Sequence, residues 1–279
     1  MKENSIHPPN NHEINELCQI INTNLGFKYD QQKKYLIVSR LDKRLMQLGF
    51  SNYSQYLEYL QTEPQEHSNL FALLTTNVTS FFREAIHFRF IKEVLLPQYC
   101  EINKTNRIIR AWSAGCSSGE EAYSLAIALR EYLGADWDIM VLASDISTNR
   151  LQIGSEGGPY TKEQVAIIPQ HLLGKYFSIK KIGDRTVYHV KPHLRQMVAF
   201  RLMNLLDHDT LPGNIRLNII FCRNVFIYMT SEAKSKILSG FYTRLLSDGH
   251  LFLGLSESLN SNHPYWNSIG KSIYQKKLR

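Results

Sequence analysis

Apolar residues recur at three- and four-residue steps through the N-terminal part of the chain. Ile14, Leu17, Cys18, Ile21 and Leu25 fall on one side of a helix that starts at Glu13, and Gly26 follows as its C-cap. A second helix over 32–48 carries Ile37, Leu41, Leu45 and Leu48, with Gly49 ending it. Its other side collects Lys33, Arg40, Lys43 and Arg44. Ser51 is a candidate cap for a third helix, with Leu57 and Leu60 as its apolar side, and a fourth runs over 66–76. Residues 13–76 therefore read as an all-helical N-terminal domain, preceded by a polar, proline-containing stretch (1–12) expected to be disordered.

After Arg107 the period changes. "RIIRAW", "IMVLAS", "VAFRLMNL", "LNIIFC" and "HLFLGL" are short apolar runs, and helical patterns over 119–133, 147–155 and 230–246 separate most of them. Strands alternating with helices predict a mostly parallel sheet covered on both faces. One stretch breaks the alternation: "YFSIKKIGDRTVYHV" (176–190) has two strand-like runs around Gly183-Asp184, the signature of a hairpin, and reads as a small inserted subdomain over about 174–197. The domain plan is thus 1–12, 13–76, a linker over 77–90, and an α/β domain over 91–279 that contains the insertion.

Composition narrows the class only slightly. Apolar residues make up 43% and charged residues 20%, ordinary values for a globular protein. No apolar run reaches the roughly 18 residues that span a bilayer, and the polar start lacks the core of a signal peptide, so a cytoplasmic protein without membrane insertion is expected. The four cysteines make no CxxC pair, which predicts reduced thiols and no metal site. A net charge of +7 permits nucleic acid, acidic protein or anionic lipid as a partner and selects none of them.

The chemistry concentrates at the turn "AWSAGCSSGEEAYSLAIAL" (111–129): a strand end, a small-residue loop, then a helix. Gly115 and Gly119 are spaced G-x-x-x-G, which is neither the dinucleotide fingerprint nor a phosphate loop. Glu120 and Glu121 stand where a helix N-terminus would hold phosphate, so they repel that anion and offer acceptors to hydroxyls or a cation. Asp145 ends the next strand, where an acidic residue in this architecture accepts from ribose hydroxyls. Together they suit a phosphate-free nucleoside carrying positive charge, and S-adenosylmethionine has that form. The fold expected is then α/β, a Rossmann-like S-adenosylmethionine-dependent methyltransferase domain. Other polar residues gather at strand ends or the domain junction: Asn77, Thr79 and Arg83 in "TTNVTSFFRE", Asn204 and Leu205 in "RLMNLL", and Arg223, Asn224 and Tyr228 in "IIFCRNVFIYM".

In order along the chain, "RLDKRLMQLGF", "NVTSFFRE", "WSAGCSSGEEAYS", "ASDIS", "MNLL", "FCRNVFIYM" and "LFLGLSESL" resemble the chemotaxis receptor methyltransferases, the CheR family. The likeness covers nearly the whole chain. It implies methyl transfer from S-adenosylmethionine to glutamate side chains on the cytoplasmic domain of methyl-accepting chemoreceptors, with S-adenosylhomocysteine as product and no role for nucleic acid. Carried over by motif, the donor-binding residues are Asn77, Thr79, Arg83, Glu120, Asp145, Asn204, Leu205, Arg223 and Asn224. Arg83 and Tyr228 resemble the residues facing the reacting centre. The motif leaves open which of Glu120 and Glu121 faces the donor; Glu120 is favoured. Lys33, Arg40, Lys43 and Arg44 match the place where the family's helical domain meets the receptor. The hairpin matches a subdomain that in some members binds the receptor's C-terminal tail, although the glycine-rich turn of such members is here "IKKIGDR". A methyltransferase acting on RNA, and a non-catalytic donor-binding protein, are the competing readings.

Overall fold

The computed structural model describes residues 6–28, 34–75, 78–102, 104–261 and 263–277. Four helices open the chain: α1 (Asn11–Leu25), α2 (Lys34–Leu48), α3 (Tyr53–Thr62) and α4 (Glu66–Leu74). Asn10 caps α1 by a reciprocal capping box. Its side chain accepts from the Glu13 amide at 3.0 Å, and Glu13 accepts from the Asn10 amide at 2.8 Å. Residues 10–12, expected in the disordered stretch, are thus part of a capped helix start, and residues 1–5 lie outside the described residues. Asn52, not Ser51, caps α3, accepting from the Gln55 amide at 3.0 Å.

The linker leads into α5 (Ala85–Phe90), a π turn (Ile91–Leu95) and α6 (Leu96–Ile102), which run on as one rod. The α/β part then follows: β1 (Ile108–Ala114), α7 (Glu120–Leu133), β2 (Asp138–Asp145), α8 (Thr148–Glu156), α9 (Lys162–Val165), α10 (Gln170–Tyr176), β3 (Phe177–Ile182), β4 (Arg185–Val190), α11 (Pro192–Arg195) and β5 (Val198–Leu202). The chain closes with β6 (Leu217–Cys222), α12 (Ser231–Arg244), β7 (Leu245–Leu253), β8 (Trp266–Gly270) and β9 (Ile273–Lys276). The seven-stranded sheet has the order β5-β2-β1-β6-β7-β9-β8. Its first five strands pair in parallel and β9 joins antiparallel to both neighbours. From β1 the chain winds outward to β2 and β5, then returns to β6 on the other side. That reversal makes the β1/β6 boundary the topological switch point, where open α/β sheets bind ligands beyond the strand carboxyl ends.

Side-chain alternation splits the interior into two cores. Ile109 and Ala111 of β1 and Ile139, Val141 and Ala143 of β2 face α7. Trp112 and Ala114 face the opposite way, into a core shared by α1–α4 and by Ile237 and Phe241 of α12. The helical domain and one sheet face thus form a single hydrophobic unit. The inserted hairpin pairs Phe177 with Val190 through Ile182 with Arg185, leaving Gly183-Asp184 as a two-residue turn. Gly183 at φ +58° takes the left-handed first position that such a turn requires. Mutual backbone bonds between Tyr160 and Tyr188, both 2.9 Å, tie the hairpin to the domain.

Candidate active site at the sheet switch point

At the carboxyl ends of β1, β2 and β6 lies a cleft, closed on one side by the linker and on another by the exit of α1. Each element presents a charged or polar group to it for a local reason. Gly115, at φ +88°, turns the chain out of β1 where a Cβ would strike Val225 at 2.6 Å. Ser117, also left-handed at φ +49°, aims its amide at Asp145 Oδ2, 2.8 Å away. Asp145 Oδ1 accepts from the Ser147 amide at 2.9 Å. Two backbone amides therefore fix this carboxylate at the end of β2. Burial raises its pKa above the ordinary aspartate value, and the amide hydrogen bonds act against that rise. The cap of α8 is Ser147, whose hydroxyl oxygen accepts from Arg150 N, so Asp145 is left to face the cleft.

The two adjacent glutamates diverge. Helical geometry turns successive side chains by about 100°. Glu121 lines the cleft, accepting from Ser113 Oγ at 2.6 Å and from Arg223 Nε at 2.7 Å. Glu120 points away towards α9 and is fully buried, with Ser118 Oγ at 2.8 Å and Gln164 Nε2 at 3.0 Å. Burial raises its pKa, opposed by these hydrogen bonds. Of the pair, the cleft is lined by Glu121 and not by Glu120, the one favoured from the sequence.

Arg223 joins the two halves of the site. Its guanidinium is buried against the rings of Phe221 (4.8 Å) and Phe88 (5.6 Å). It donates to Glu121 and, through Nη1, to the carbonyl of Arg83 at 2.6 Å, with Glu84 Oε2 at 3.5 Å. That carbonyl is in reach because Phe82 (φ 49°) and Glu84 (φ 57°) both hold left-handed backbone, a conformation that costs a non-glycine residue about 1–2 kcal/mol. Phe81 offsets the strain by packing edge-on against Tyr160 and Phe177. The Phe82 amide donates to Ser124 Oγ at 2.9 Å. Arg83 itself lines the cleft, its Nη1 donating to the Val78 carbonyl at 3.0 Å. His87, buried beside Arg223, has its pKa lowered, chiefly by burial.

Thr79, Leu205, Asn224 and Tyr228 also line the cleft. Asn204 does so too, but its amide is engaged: Nδ2 donates to the Asn24 carbonyl at 2.5 Å and Oδ1 accepts from the Leu206 amide at 3.1 Å. Asn77 and Lys33 lie outside the described residues. Glu257 was not expected in this role. Its buried carboxylate accepts from the amides of Gly254 (2.7 Å), Asn224 (2.8 Å) and Ile227 (3.1 Å), shaping the loop from β6 to Tyr228; burial raises its pKa. A lone glutamate within "LGLSESL" gives no signal of three backbone partners that only folding assembles. The same loop is stitched to the exit of α1. Lys28 N donates to the Tyr228 carbonyl at 2.7 Å, Thr230 N donates to the Gly26 carbonyl at 2.7 Å, and Phe27 bridges Met229.

The basic side of α2 does not form the open patch that its sequence suggests. Arg40 Nη1 donates to the carbonyls of Leu73, Leu74 and Thr75, at 3.2, 2.6 and 3.3 Å, closing the C-terminus of α4. Arg44 forms a two-pronged pair with the buried Glu66, at 2.9 and 2.5 Å. Lys43 is exposed. Two of the four basic residues are thus internal fasteners.

The cleft's donor set fits an adenosine with a cationic sulfur. Acidic Glu121 and Asp145 replace a phosphate cradle, and Ser117 Oγ is buried in the cleft wall with no partner, a polar atom awaiting a ligand. Among the described residues no group of acids, histidines and cysteines is placed to hold a metal ion, and no helix is long and apolar enough to cross a membrane. Burial holds the Cys116 and Cys222 thiols well above their usual pKa, so neither is an activated nucleophile.

Comparison with known proteins agrees with this geometry. The CheR methyltransferase all-alpha domain matches residues 12–75 and the CheR methyltransferase SAM binding domain matches residues 77–274. The chain is 36% identical to a chemotaxis protein methyltransferase of Borreliella burgdorferi over 257 residues, spanning 90% of this chain and 89% of that one. It is 35% identical to chemotaxis protein methyltransferase 2 of Pseudomonas aeruginosa, over 89% of this chain and 87% of that one. To the chemotaxis protein methyltransferase of Salmonella typhimurium it is 34% identical, over 92% and 88%. With a cleft suited to a phosphate-free, cationic nucleoside and both domain matches end to end, the chain belongs to the CheR methyltransferase family.

Proposed function

We propose that this protein methylates glutamate side chains of chemoreceptors, using S-adenosylmethionine and giving glutamyl methyl esters. The observation that carries the reading is the switch-point cleft, in which Asp145 and Glu121 are fixed while Arg83 and Tyr228 line the same space. The donor supplies an electrophilic methyl group on a cationic sulfur. Asp145 takes the ribose hydroxyls, Ser117 Oγ gains a partner, and the Glu121–Arg223 pair forms the wall beside the donor's charged end. An incoming glutamate has an ordinary pKa of about 4.3 and is already ionised at neutral pH, so no residue of the protein has to remove a proton.

What the protein contributes is alignment and exclusion of water. A reaction that brings an anion to a cation and cancels both charges runs faster in a dry cleft. Alignment of well-placed partners is worth up to about 7–11 kcal/mol. Arg83 orients the incoming carboxylate through one oxygen; a two-pronged grip would blunt the nucleophile. Tyr228, on the opposite loop, faces the methyl group. Lys43, which stays exposed on α2, meets the receptor. The outer edge of β3 suits strand addition by a receptor C-terminal tail. The protein works in the cytoplasm, where the receptors' methylated regions lie.

The test is transfer of labelled methyl from S-adenosylmethionine to receptor cytoplasmic fragments, with and without their tails. The expected product releases methanol in mild base. A base-stable product, or labelled RNA in its place, would overturn the reading. Equal rates on tailed and tail-less fragments would remove β3 from recognition.

A further inference from the structure

The parallel strands of an α/β sheet are normally covered on both faces, because the crossover between them carries a helix. One crossover here does not. The connection from β5 to β6 (203–216) holds a 3-10 segment, Leu205–Thr210, and no α-helix. On the face shared with the helical domain, the first halves of β1, β2 and β5 therefore form the floor of a second groove, walled by residues 211–217. Met140, Leu142 and Ala199 make this floor apolar, and Met140 is 37% exposed. On the reverse face of the same strands Ile139, Val141 and Val198 are buried, so the opening is confined to one side.

The rim is basic. Arg110, Arg201 and Arg216 line the groove, and among the described residues no lining residue is an aspartate or glutamate. Asp138, at the start of β2, pairs with Arg110 at 2.5 Å. Arg216 Nη1 donates to the carbonyls of Gly213 and Ile215, at 2.7 and 3.0 Å, which fixes its position on the wall. Arg201 is exposed. The floor spans three adjacent strands, so it is about 10 Å across at the usual strand spacing, close to the diameter of one α-helix with its side chains.

We infer that this groove docks an acidic amphipathic helix of a partner protein, which supplies the layer missing from the β5–β6 crossover. Its apolar side lies on Met140, Leu142 and Ala199, and its carboxylates meet Arg201 and Arg216. A second copy of this chain is the poorer occupant, because a two-fold contact would set arginine against arginine. RNA is disfavoured by the apolar floor, which lacks the aromatic side chains that stack on bases. The groove shares no lining residue with the cleft and does not depend on the methyl-transfer reading.

The experiment titrates the full-length protein with three fluorescent probes: a stapled helix with leucines on one face and glutamates on both flanks, its lysine-flanked counterpart, and a single-stranded RNA. The expected result is saturable binding of the glutamate helix alone. It should weaken with salt and fall about tenfold or more in the Arg201→Glu/Arg216→Glu variant. Arg201→Ala, which leaves the wall bonds of Arg216 intact, should give a smaller loss in the same direction. S-adenosylhomocysteine affinity should stay unchanged in both variants, which certifies their folding. Hydrogen exchange should slow over 140–142 and 199–201 when the helix is bound. Three outcomes would overturn the inference: equal affinity of the glutamate helix for wild type and variants, tighter binding of the RNA, or a concentration-dependent dimer that the arginine changes abolish.

Discussion

The basic side of α2 and the carboxyl ends of the sheet both look like clusters of charge in the sequence, yet they use charge in opposite ways. On α2, Arg40 and Arg44 turn inward, one to the end of α4 and one to buried Glu66. At the sheet, Glu121, Asp145 and Arg223 are pinned by partners but still line an open cleft. The difference lies in geometry. A helix lying on its neighbours can bend long side chains down onto them, whereas parallel strands end together and bring their final residues to one rim. Charged residues at strand ends and in the first turn of the helix that follows are therefore better predictors of a site than charged residues along a helix.

The largest effect is expected of Arg223→Ala. It strands Glu121 in a buried setting and unhooks the Arg83 carbonyl, for an expected cost of about 3–5 kcal/mol. Thermal melting should drop sharply and calorimetry should find no donor binding. Arg44→Ala is the counterpart on the helical side. It leaves Glu66 with Tyr56 and Asn69 alone and should cost about 1–3 kcal/mol, with donor affinity unchanged. If donor affinity fell as far as stability did, the separation of the two regions would be wrong.

The glutamate pair sharpens the contrast within one helix turn. Glu121→Gln should weaken S-adenosylhomocysteine binding by about tenfold, since a hydrogen bond to a charged group is worth about 1.5–3 kcal/mol. Glu120→Gln should leave binding unchanged and stability equal or slightly higher at neutral pH, because burial already favours its uncharged form. A binding loss confined to Glu120→Gln would restore Glu120 as the donor contact.

Acid titration adds a smaller effect with opposite signs in the two regions. Burial pushes the Glu66 carboxyl up, but bonds from Arg44, Asn69 and Tyr56, with the charge of Arg44, outweigh this and hold its pKa below the ordinary value. Its contribution is complete above the unfolded pKa and is lost as pH falls through the lowered folded value. Asp145, Glu120 and Glu257 have raised pKa values, so they take up protons on folding. Between the ordinary and raised values their contribution falls as pH rises. Melting temperature measured from neutral to acid pH should therefore decline less steeply on the acid side in Arg44→Ala than in wild type. The smallest change expected is Lys43→Glu: no shift in melting and a KM for receptor fragments raised a few-fold, about 0.5–1 kcal/mol for an exposed charge.

Much of this architecture was legible because its signals are local. Apolar spacing marked α1 and α2, Gly183-Asp184 marked the hairpin, and the acidic turn after β1 excluded a phosphate ligand. What escaped was assembled from afar. Glu66 and Arg44 sit on different helices, Arg223 and Glu121 are 102 residues apart, and Glu257 gathers amides from two loops. Spacing along the chain put Glu120 and Glu121 on equal footing; only the direction of the first turn of α7 separates them. The β8–β9 pair was missed as well. It is a short, half-exposed antiparallel edge without the long apolar runs that flagged the central strands.

The stitch between Phe27 and Met229 carries a lesson for anyone recombining family members. Adding a Cβ at Gly26 would bring it within 2.3 Å of the Cβ of Ala233, so the two segments have been fitted to each other atom by atom. A chimera that imports a foreign helical module while keeping the native Tyr228 loop inherits a mismatched seam beside the cleft. Exchanging residues 26–28 together with 228–233 is the cut that preserves it.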